Sequence, residues 1–358
     1  MELGYIGVDW KVTVHYRKES MPPVTPAGLC LSGSQTKWEN TYGFLSVDAL
    51  GVSIEGMNEK GLAASGLIFE TGAYPFPKPG KKMNVTICSG NVIQWALGNF
   101  ASVKELSAAL LSKGTQILGP LSQESDHATP SDLNRLRHLS RLHWAFDDAQ
   151  GGHIVVEVVD GNVVVHNNAV GVLTNDPDYT WHLRNLNNYA FLSSEWTSNA
   201  QSIAIESEIG ASPRVVSHGL NLMGLPGDAG PSSRFVRLFY LRQFALHRKP
   251  PSALSKSGRW NQTFAIVDGL LNTVWVVEGT VAPNAMVNES TLEKTDFSVV
   301  KSSSDRMFHF RSYGNSRWKR IDLSSIPWDL PSSKKSTNPS MPVVDGTLGI
   351  DDVTDRLA

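Results

Sequence analysis

The segment HIVVEVVDGNVVVHNN, from His153 to Asn168, constrains the fold more than any other stretch. Two Val-rich runs flank Asp160-Gly161-Asn162, and β-branched side chains favour strands. Asp-Gly between two such runs is a hairpin turn, so the strands are antiparallel neighbours. Similar runs recur along the chain. DWKVTVHYR (Asp9 to Arg17) alternates apolar and polar positions, YGFLSVDALGVSIEG holds two short strands up to Gly56, and GLAASGLIFE (Gly61 to Glu70) is apolar and punctuated by glycine. QTFAIVDGLLNTVWVVE (Gln262 to Glu278) reads as a second Val-rich hairpin around Asp268-Gly269, and MFHFRSYGNSRWKRIDL as a third at Gly314-Asn315.

Helices are fewer. NVIQWALGNF (Asn91 to Phe100) is one, and Ser102 to Glu105 is a capping box that opens another ending at Gly114. SSRFVRLFYLRQFAL (Ser232 to Leu246) is a third, with Ser232 or Ser233 as N-cap and Phe235, Leu238, Phe239 and Phe244 near helical spacing. Gly114 to Asn134 reads as an irregular polar loop, and Trp196 to Met223 as a mixed segment covering a pocket. Strand and helix do not alternate throughout, so a doubly wound parallel sheet does not fit. Two antiparallel sheets covered by helices do. The Pro/Ser-rich residues 324–358 read as a mobile tail behind a 1–323 domain.

With 358 residues, 41% of them hydrophobic, the chain can bury a large core. A net charge of −2, with no long basic run, argues against nucleic acid or an anionic membrane as main partner. No apolar stretch is long enough to cross a bilayer. The sequence holds no Gly-rich phosphate loop, HExxH or GxSxG, and its two cysteines, Cys30 and Cys88, make no metal pattern or disulfide framework. Cys88, in NVTICSG, reads as a core thiol. His143 and His153 read as structural or surface residues. Two loops stand out. One carries Asn175, in VGVLTNDPDYTW, where turn chemistry explains Asp176-Pro177 but leaves the amide's role open. The other is GLPGDAGPSSRF, which brings Arg234 into a helix, where a buried guanidinium pairs with a carboxylate or walls a pocket.

GMNEKGLAASGL (Gly56 to Leu67), LHWAFDDAQGGHIVVE (Leu142 to Glu157), VGVLTNDPDYTWHLRNLNNY (Val170 to Tyr189), GLPGDAGPSSRFVR (Gly224 to Arg237) and FHFRSYGNSRW (Phe308 to Trp318) occur in that order. Together with Thr41-Tyr42-Gly43 and WALGNFASVKEL, they make the chain resemble the choloylglycine hydrolase family of bile salt hydrolases and penicillin V acylases.

The resemblance implies an α+β fold, the four-layer αββα sandwich of N-terminal-nucleophile hydrolases. It implies hydrolysis of a linear, non-peptide amide in a small N-acyl substrate, with no cofactor and no metal. A cysteine at the mature N-terminus would attack and its own α-amine would serve as base, so no separate Cys/His pair is needed. Asn175 matches the oxyanion-hole asparagine, and the backbone N–H of Ile68 matches the second donor. Arg234 matches the arginine that lowers the thiol pKa. Glu2 falls where relatives carry the carboxylate that orients the nucleophile's amine.

In the family a cysteine and a first hairpin precede the position of Glu2, which leads to the expectation that about 15–20 residues, judged from strand lengths, are missing through a reading frame begun at an internal methionine. The nucleophile is then none of the residues of this chain, because neither Cys30 nor Cys88 can supply an α-amine. Family members are commonly tetramers, but the segment after Tyr189, where assembly contacts often lie, differs here, so the resemblance leaves a homo-oligomer open. The alternative reading is a catalytically inactive relative that binds acyl amides or serves as a structural partner.

Overall fold

The computed structural model describes residues 2–3, 9–21, 35–49, 51–75, 85–112, 114–120, 140–194, 219–247, 256–281, 293–329 and 338–343. The strands are β1 (Glu2–Leu3), β2 (Lys11–His15), β3 (Ser20–Met21), β4 (Trp38–Glu39), β5 (Phe44–Ala49), β6 (Val52–Asn58), β7 (Ala63–Ile68), β8 (Val85–Cys88), β9 (Thr115–Leu118), β10 (Leu142–Asp147), β11 (His153–Val159), β12 (Asn162–Asn167), β13 (Thr295–Ser302), β14 (Met307–Ser312), β15 (Lys319–Asp322) and β16 (Ser340–Pro342). The helices are α1 (Val92–Asn99), α2 (Val103–Leu110), α3 (Tyr179–Asn185), α4 (Pro231–His247) and α5 (Lys256–Asn272). The chain divides into two compact units, one of Met1–Asp178 with Trp275–Ala358 and one of Tyr179–Val274.

Among its described residues, the first unit holds two large antiparallel sheets and two two-stranded pairs, β3-β4 and β8-β9. Eight strands run in the order β12-β11-β10-β7-β6-β5-β2-β16, and four in the order β1-β13-β14-β15. The Val-rich hairpin forms as its sequence dictates: Asp160 (φ 49°) and Gly161 (φ 76°) both take the left-handed backbone of a two-residue turn. Strand β6 is buried along its whole length. Gly56 faces α1, where an added Cβ would lie 2.6 Å from the Leu97 side chain. Its neighbour Glu55 faces the other way and takes an ion pair from Lys301 of β13. Lys301 Nζ also donates to the Ala64 carbonyl (2.6 Å) and to Ser65 Oγ (2.9 Å), so one ammonium ties β6 and β7 to the small sheet. Phe297, Phe308 and Phe310 of the small sheet share one hydrophobic core with Leu45, Met57 and Trp144 of the large one.

The NEKGL stretch is turn chemistry. Asn58 Oδ1 accepts from the backbone N–H groups of Lys60 and Leu62, both at 3.0 Å, and Asn58 Nδ2 donates to the Leu97 and Phe100 carbonyls. Gly61 sits at φ 90°, with the Ser303 carbonyl oxygen 2.3 Å from where a Cβ would be, so no other residue fits. Ser102 caps α2 through Glu105 N–H (3.3 Å), while the Glu105 carboxylate reaches back to Ala101 N–H (2.8 Å).

Several expectations are corrected. Gln262 to Asn272 is the second half of a 17-residue helix, α5, and no hairpin turns at Asp268-Gly269. Trp260 and Phe264 stand one helical turn apart with ring centroids 5.9 Å from each other, and this periodicity outweighs the Asp-Gly turn signal. Thr115–Leu118, expected within an irregular loop, is a strand parallel to β8, where Ile117 and Leu118 are buried. Cys88 is disulfide-bonded and so no thiol, against both the reading of a core thiol and the expectation of no disulfide framework. Cys30 lies outside the described residues, as do most of Trp196 to Met223 and Leu121 to Asn134.

The described residues of the stretch expected as a tail, 324–329 and 338–343, contribute to the first unit. Trp328 packs over Gly43, and Ser340–Pro342 pairs with β2. On β2, burial lowers the pKa of His15, but hydrogen bonds and charge from Asp48 and Glu19 outweigh it and push it up to about 9. Glu19 in turn accepts from Asn338 Nδ2 at 2.8 Å, beside the added strand.

Lys301→Met should destabilise the protein by about 3–5 kcal/mol, because it leaves the Glu55 carboxylate buried without its cation. Adding Glu55→Met should recover most of that loss, read as the urea midpoint. A double variant no more stable than the single one would show that the two charges are not coupled.

Candidate active site

The Asn175 loop is built where β7 ends. Ile68 stands opposite Leu142 of β10. Its neighbour Phe69 donates its N–H to the Arg141 carbonyl at 2.8 Å. Antiparallel pairs alternate between bonded and non-bonded, so the Ile68 N–H and C=O turn away from β10. On the side they face, the β6–β7 register ends at Glu55 opposite Ser65, short of Ile68. Asn175 meets this edge, its Nδ2 donating to the Ile68 carbonyl at 2.9 Å.

Two further anchors flank that contact. The Asp176 carboxylate accepts from Glu70 N–H (2.8 Å), Thr71 N–H (2.9 Å) and the Thr71 hydroxyl (2.6 Å). Burial pushes the Asp176 carboxyl up, but the hydrogen bonds from Thr71 and Glu70 outweigh it and hold it below the ordinary aspartate range. On the other side, the Thr174 carbonyl accepts from His143 Nε2 at 2.6 Å. The His143 Nδ1 stands 3.0 Å from Glu157 Oε1, across the β10–β11 pair. Residues 174–176 are therefore fixed through a main-chain carbonyl and two side chains. Sequence reading set His143 aside as structural, and Glu157 was not singled out. Both lie within LHWAFDDAQGGHIVVE, and the signal missed is that His143 and Glu157 become direct neighbours once this segment pairs with itself.

The second unit places Arg234 in the first turn of α4, 7% exposed. The Arg234 Nε donates to the Ala229 carbonyl at 2.9 Å. The helix starts at Pro231, so neither Ser232 nor Ser233 is its N-cap. Proline suits a first helical position. Asp228 supplies the acceptors instead, from Gly230 N–H (2.8 Å) and the Ser233 hydroxyl (2.6 Å). One turn along α4, Arg237 binds the carbonyls of Thr273 (2.8 Å), Pro226 (2.5 Å) and Asp228 (3.2 Å). Arg237, also missed in the sequence, thus clamps the GLPGD loop that carries Arg234. Its signal is position i+3 from Arg234, on the same helical face.

Glu2 lies in β1, the edge strand of the small sheet, opposite Phe297. Of the four residues expected in the site, Asn175 and Ile68 are brought into contact. Among the described residues no group of three or more His, Cys, Asp or Glu is arranged to hold a metal ion. No helix there is long and apolar enough to cross a membrane.

Two facing antiparallel sheets with flanking helices define an α+β sandwich. It is the fold of a conjugated bile acid hydrolase variant from Clostridium perfringens, which superposes at a TM-score of 0.70 and 25% identity over 98% of this chain and 93% of that one. Penicillin V acylase from Agrobacterium tumefaciens follows the same fold at a TM-score of 0.61, 22% identity, over 90% and 80% of the two chains. This αββα class is that of the N-terminal-nucleophile hydrolases. In sequence, the chain is 31% identical to a bile salt hydrolase/transferase of Lactiplantibacillus plantarum over 78% of its own length and 75% of the relative's. It is 30% identical to the Clostridium perfringens bile salt hydrolase/transferase over 75% and 72%. The family model for linear amide C–N hydrolases of the choloylglycine hydrolase family matches residues 11–335. The chain belongs to that family.

Asp176→Ala should cost about 1–3 kcal/mol, because it leaves the Glu70 and Thr71 amides without their acceptor. In the parent protein the folded pKa of Asp176 is depressed. Its contribution is present above the ordinary value of 3.8 and lost as pH falls through the lower folded value. The Glu70 and Thr71 amide proton shifts should therefore be constant down to about pH 4 and move below it. Shifts that do not respond before the protein unfolds in acid would remove Asp176 from this role.

Proposed function

We propose that this protein hydrolyses the amide bond of a small N-acyl compound with a cysteine thiol as nucleophile. The observation that carries the reading is the contact of Asn175 Nδ2 with the Ile68 carbonyl at the end of β7, beyond its pairing with β6. An amide nitrogen has two N–H bonds, and fixing one on Ile68 fixes the direction of the other. The Ile68 N–H projects on the same side of the strand. Two N–H donors held on a rigid edge suit an oxyanion, because they need no reorganisation as charge develops.

Cys88, being disulfide-bonded, does not offer a thiol. By resemblance to the family, the thiol is that of a cysteine exposed at the mature N-terminus. Its α-amine takes the thiol proton, and sulfur adds to the amide carbonyl. The C–N bond breaks as that proton passes to the leaving amine. Water then hydrolyses the thioester, releasing the acid. Glu2 orients the amine, and the Arg234 guanidinium favours the thiolate. The relatives, a bile salt hydrolase/transferase and a penicillin V acylase among them, supply the substrates to try first, a bile salt and penicillin V.

In an enzyme form carrying the N-terminal cysteine, Asn175→Ala should lower kcat by roughly 10²–10³, with a modest change in KM, because this hydrogen bond matters most in the transition state. Melting temperature should move only a few degrees, since Asp176 still holds the corner. Unchanged kcat with a large loss of stability would return Asn175 to an ordinary turn residue. In the same form, Arg234→Ala should raise the pH at which the thiol alkylates, and Arg234→Lys should recover little, because a point charge does not replace the planar fork. Identical alkylation profiles would remove the electrostatic role. No turnover of any N-acyl amide by that form would favour an inactive, acyl-amide-binding relative.

A further inference from the structure

We propose that His143 and Glu157 are positioning residues that aim the Asn175 amide through the carbonyl of the residue before it. The inference rests on the oxyanion reading of Asn175. A carbonyl oxygen only accepts, so His143 Nε2 donates in its 2.6 Å contact with Thr174. The ring has no other freedom. Its plane is set by Phe69, stacked at 4.7 Å and 4° between planes. Its rotation within that plane is set by Glu157 at Nδ1. The second Glu157 oxygen stands 3.3 Å from His166 Nε2, so the carboxylate is itself held from two sides.

Burial makes the arrangement informative. His143 is 0% exposed and Glu157 1%. Apolar side chains of similar volume would fill this space without the cost of desolvating a carboxylate. What the polar pair adds is direction: a donor that meets one carbonyl at one angle. Phe69, which fixes the ring, directly follows Ile68, so the same short piece of chain locates His143 and presents the Ile68 backbone. The Asn175 amide and the Ile68 N–H are thereby held to a common reference.

The test uses a pair of substitutions that keep opposite halves of the imidazole. His143→Gln retains a nitrogen donor near the Nε2 position and so the bond to Thr174. His143→Asn retains one near Nδ1, facing Glu157, and loses Thr174. In the form carrying the N-terminal cysteine, His143→Asn should lower kcat roughly 10–100-fold with KM nearly unchanged, and His143→Gln should stay within about 3-fold of the parent. A purely structural role would instead make kcat per folded site indifferent to both variants, with only melting temperature falling. In an Asn175→Ala background, His143→Asn should cost less than about 3-fold more, since the group it positions is gone. Full additivity of the two losses would overturn the relay. Glu157→Gln, which keeps volume and one acceptor, is the arm to use if the histidine variants do not fold. It too should lower kcat at constant KM, and an unchanged kcat would overturn the proposal. A normal loss in Asn175→Ala with no effect at His143 or Glu157 sinks the relay alone. An Asn175→Ala enzyme with parental kcat sinks the oxyanion reading, and the relay with it.

Discussion

The end of β7 is the constraint on which the site depends. Pairing with β10 continues through Ile68, while the register with β6 stops at Glu55 opposite Ser65. A strand held on one side only presents backbone groups that a complete sheet would consume. The Asn175 loop occupies that position, and its three anchors all return to the same neighbourhood: Ile68 itself, the Glu70-Thr71 turn just after it, and His143 on the partner strand. The loop needs no packing of its own to be rigid, because it borrows the rigidity of the sheet.

That sheet is stiff for a separate reason. β6 and β7 lie at its centre, with α1 packed on one face and the small sheet on the other. Lys301 crosses the core to reach Glu55, Ser65 and the Ala64 carbonyl. A buried ion pair adds little net stability compared with an apolar filling, but these contacts join β13 to both β6 and β7 at one point. β13 is also the strand that pairs with β1, where Glu2 is found. Scaffold and candidate chemistry meet through backbone positions more than through side chains.

Local signals identified most of the elements. The hairpin at Asp160-Gly161, the capping box at Ser102 and the apolar runs of β5, β6 and β7 form where the sequence put them, because turn backbone, helix capping and strand periodicity are set within a few residues. Asp268-Gly269 misled for the same reason. A short turn signal was read in isolation, while the helical spacing that overrides it spans the longer stretch from Lys256 to Asn272. The small parallel pairing of β8 with β9 left no local trace, since it joins segments with α1 and α2 between them.

For the candidate site, the resemblance carried by the ordered motifs pointed to Asn175, Ile68, Arg234 and Glu2. Residue type could not reveal that Asn175 spends one N–H on Ile68, that Asp176 binds the turn after β7, or that His143 and Glu157 meet behind Thr174. Those facts depend on which strands pair and in what register, and register is a property of the whole sheet. Thus the turns, caps and strand-forming runs were written locally into the chain. The direction of the Asn175 amide was decided only when distant segments packed, because a hydrogen-bond vector is fixed by both of its ends and the second end lies more than a hundred residues away.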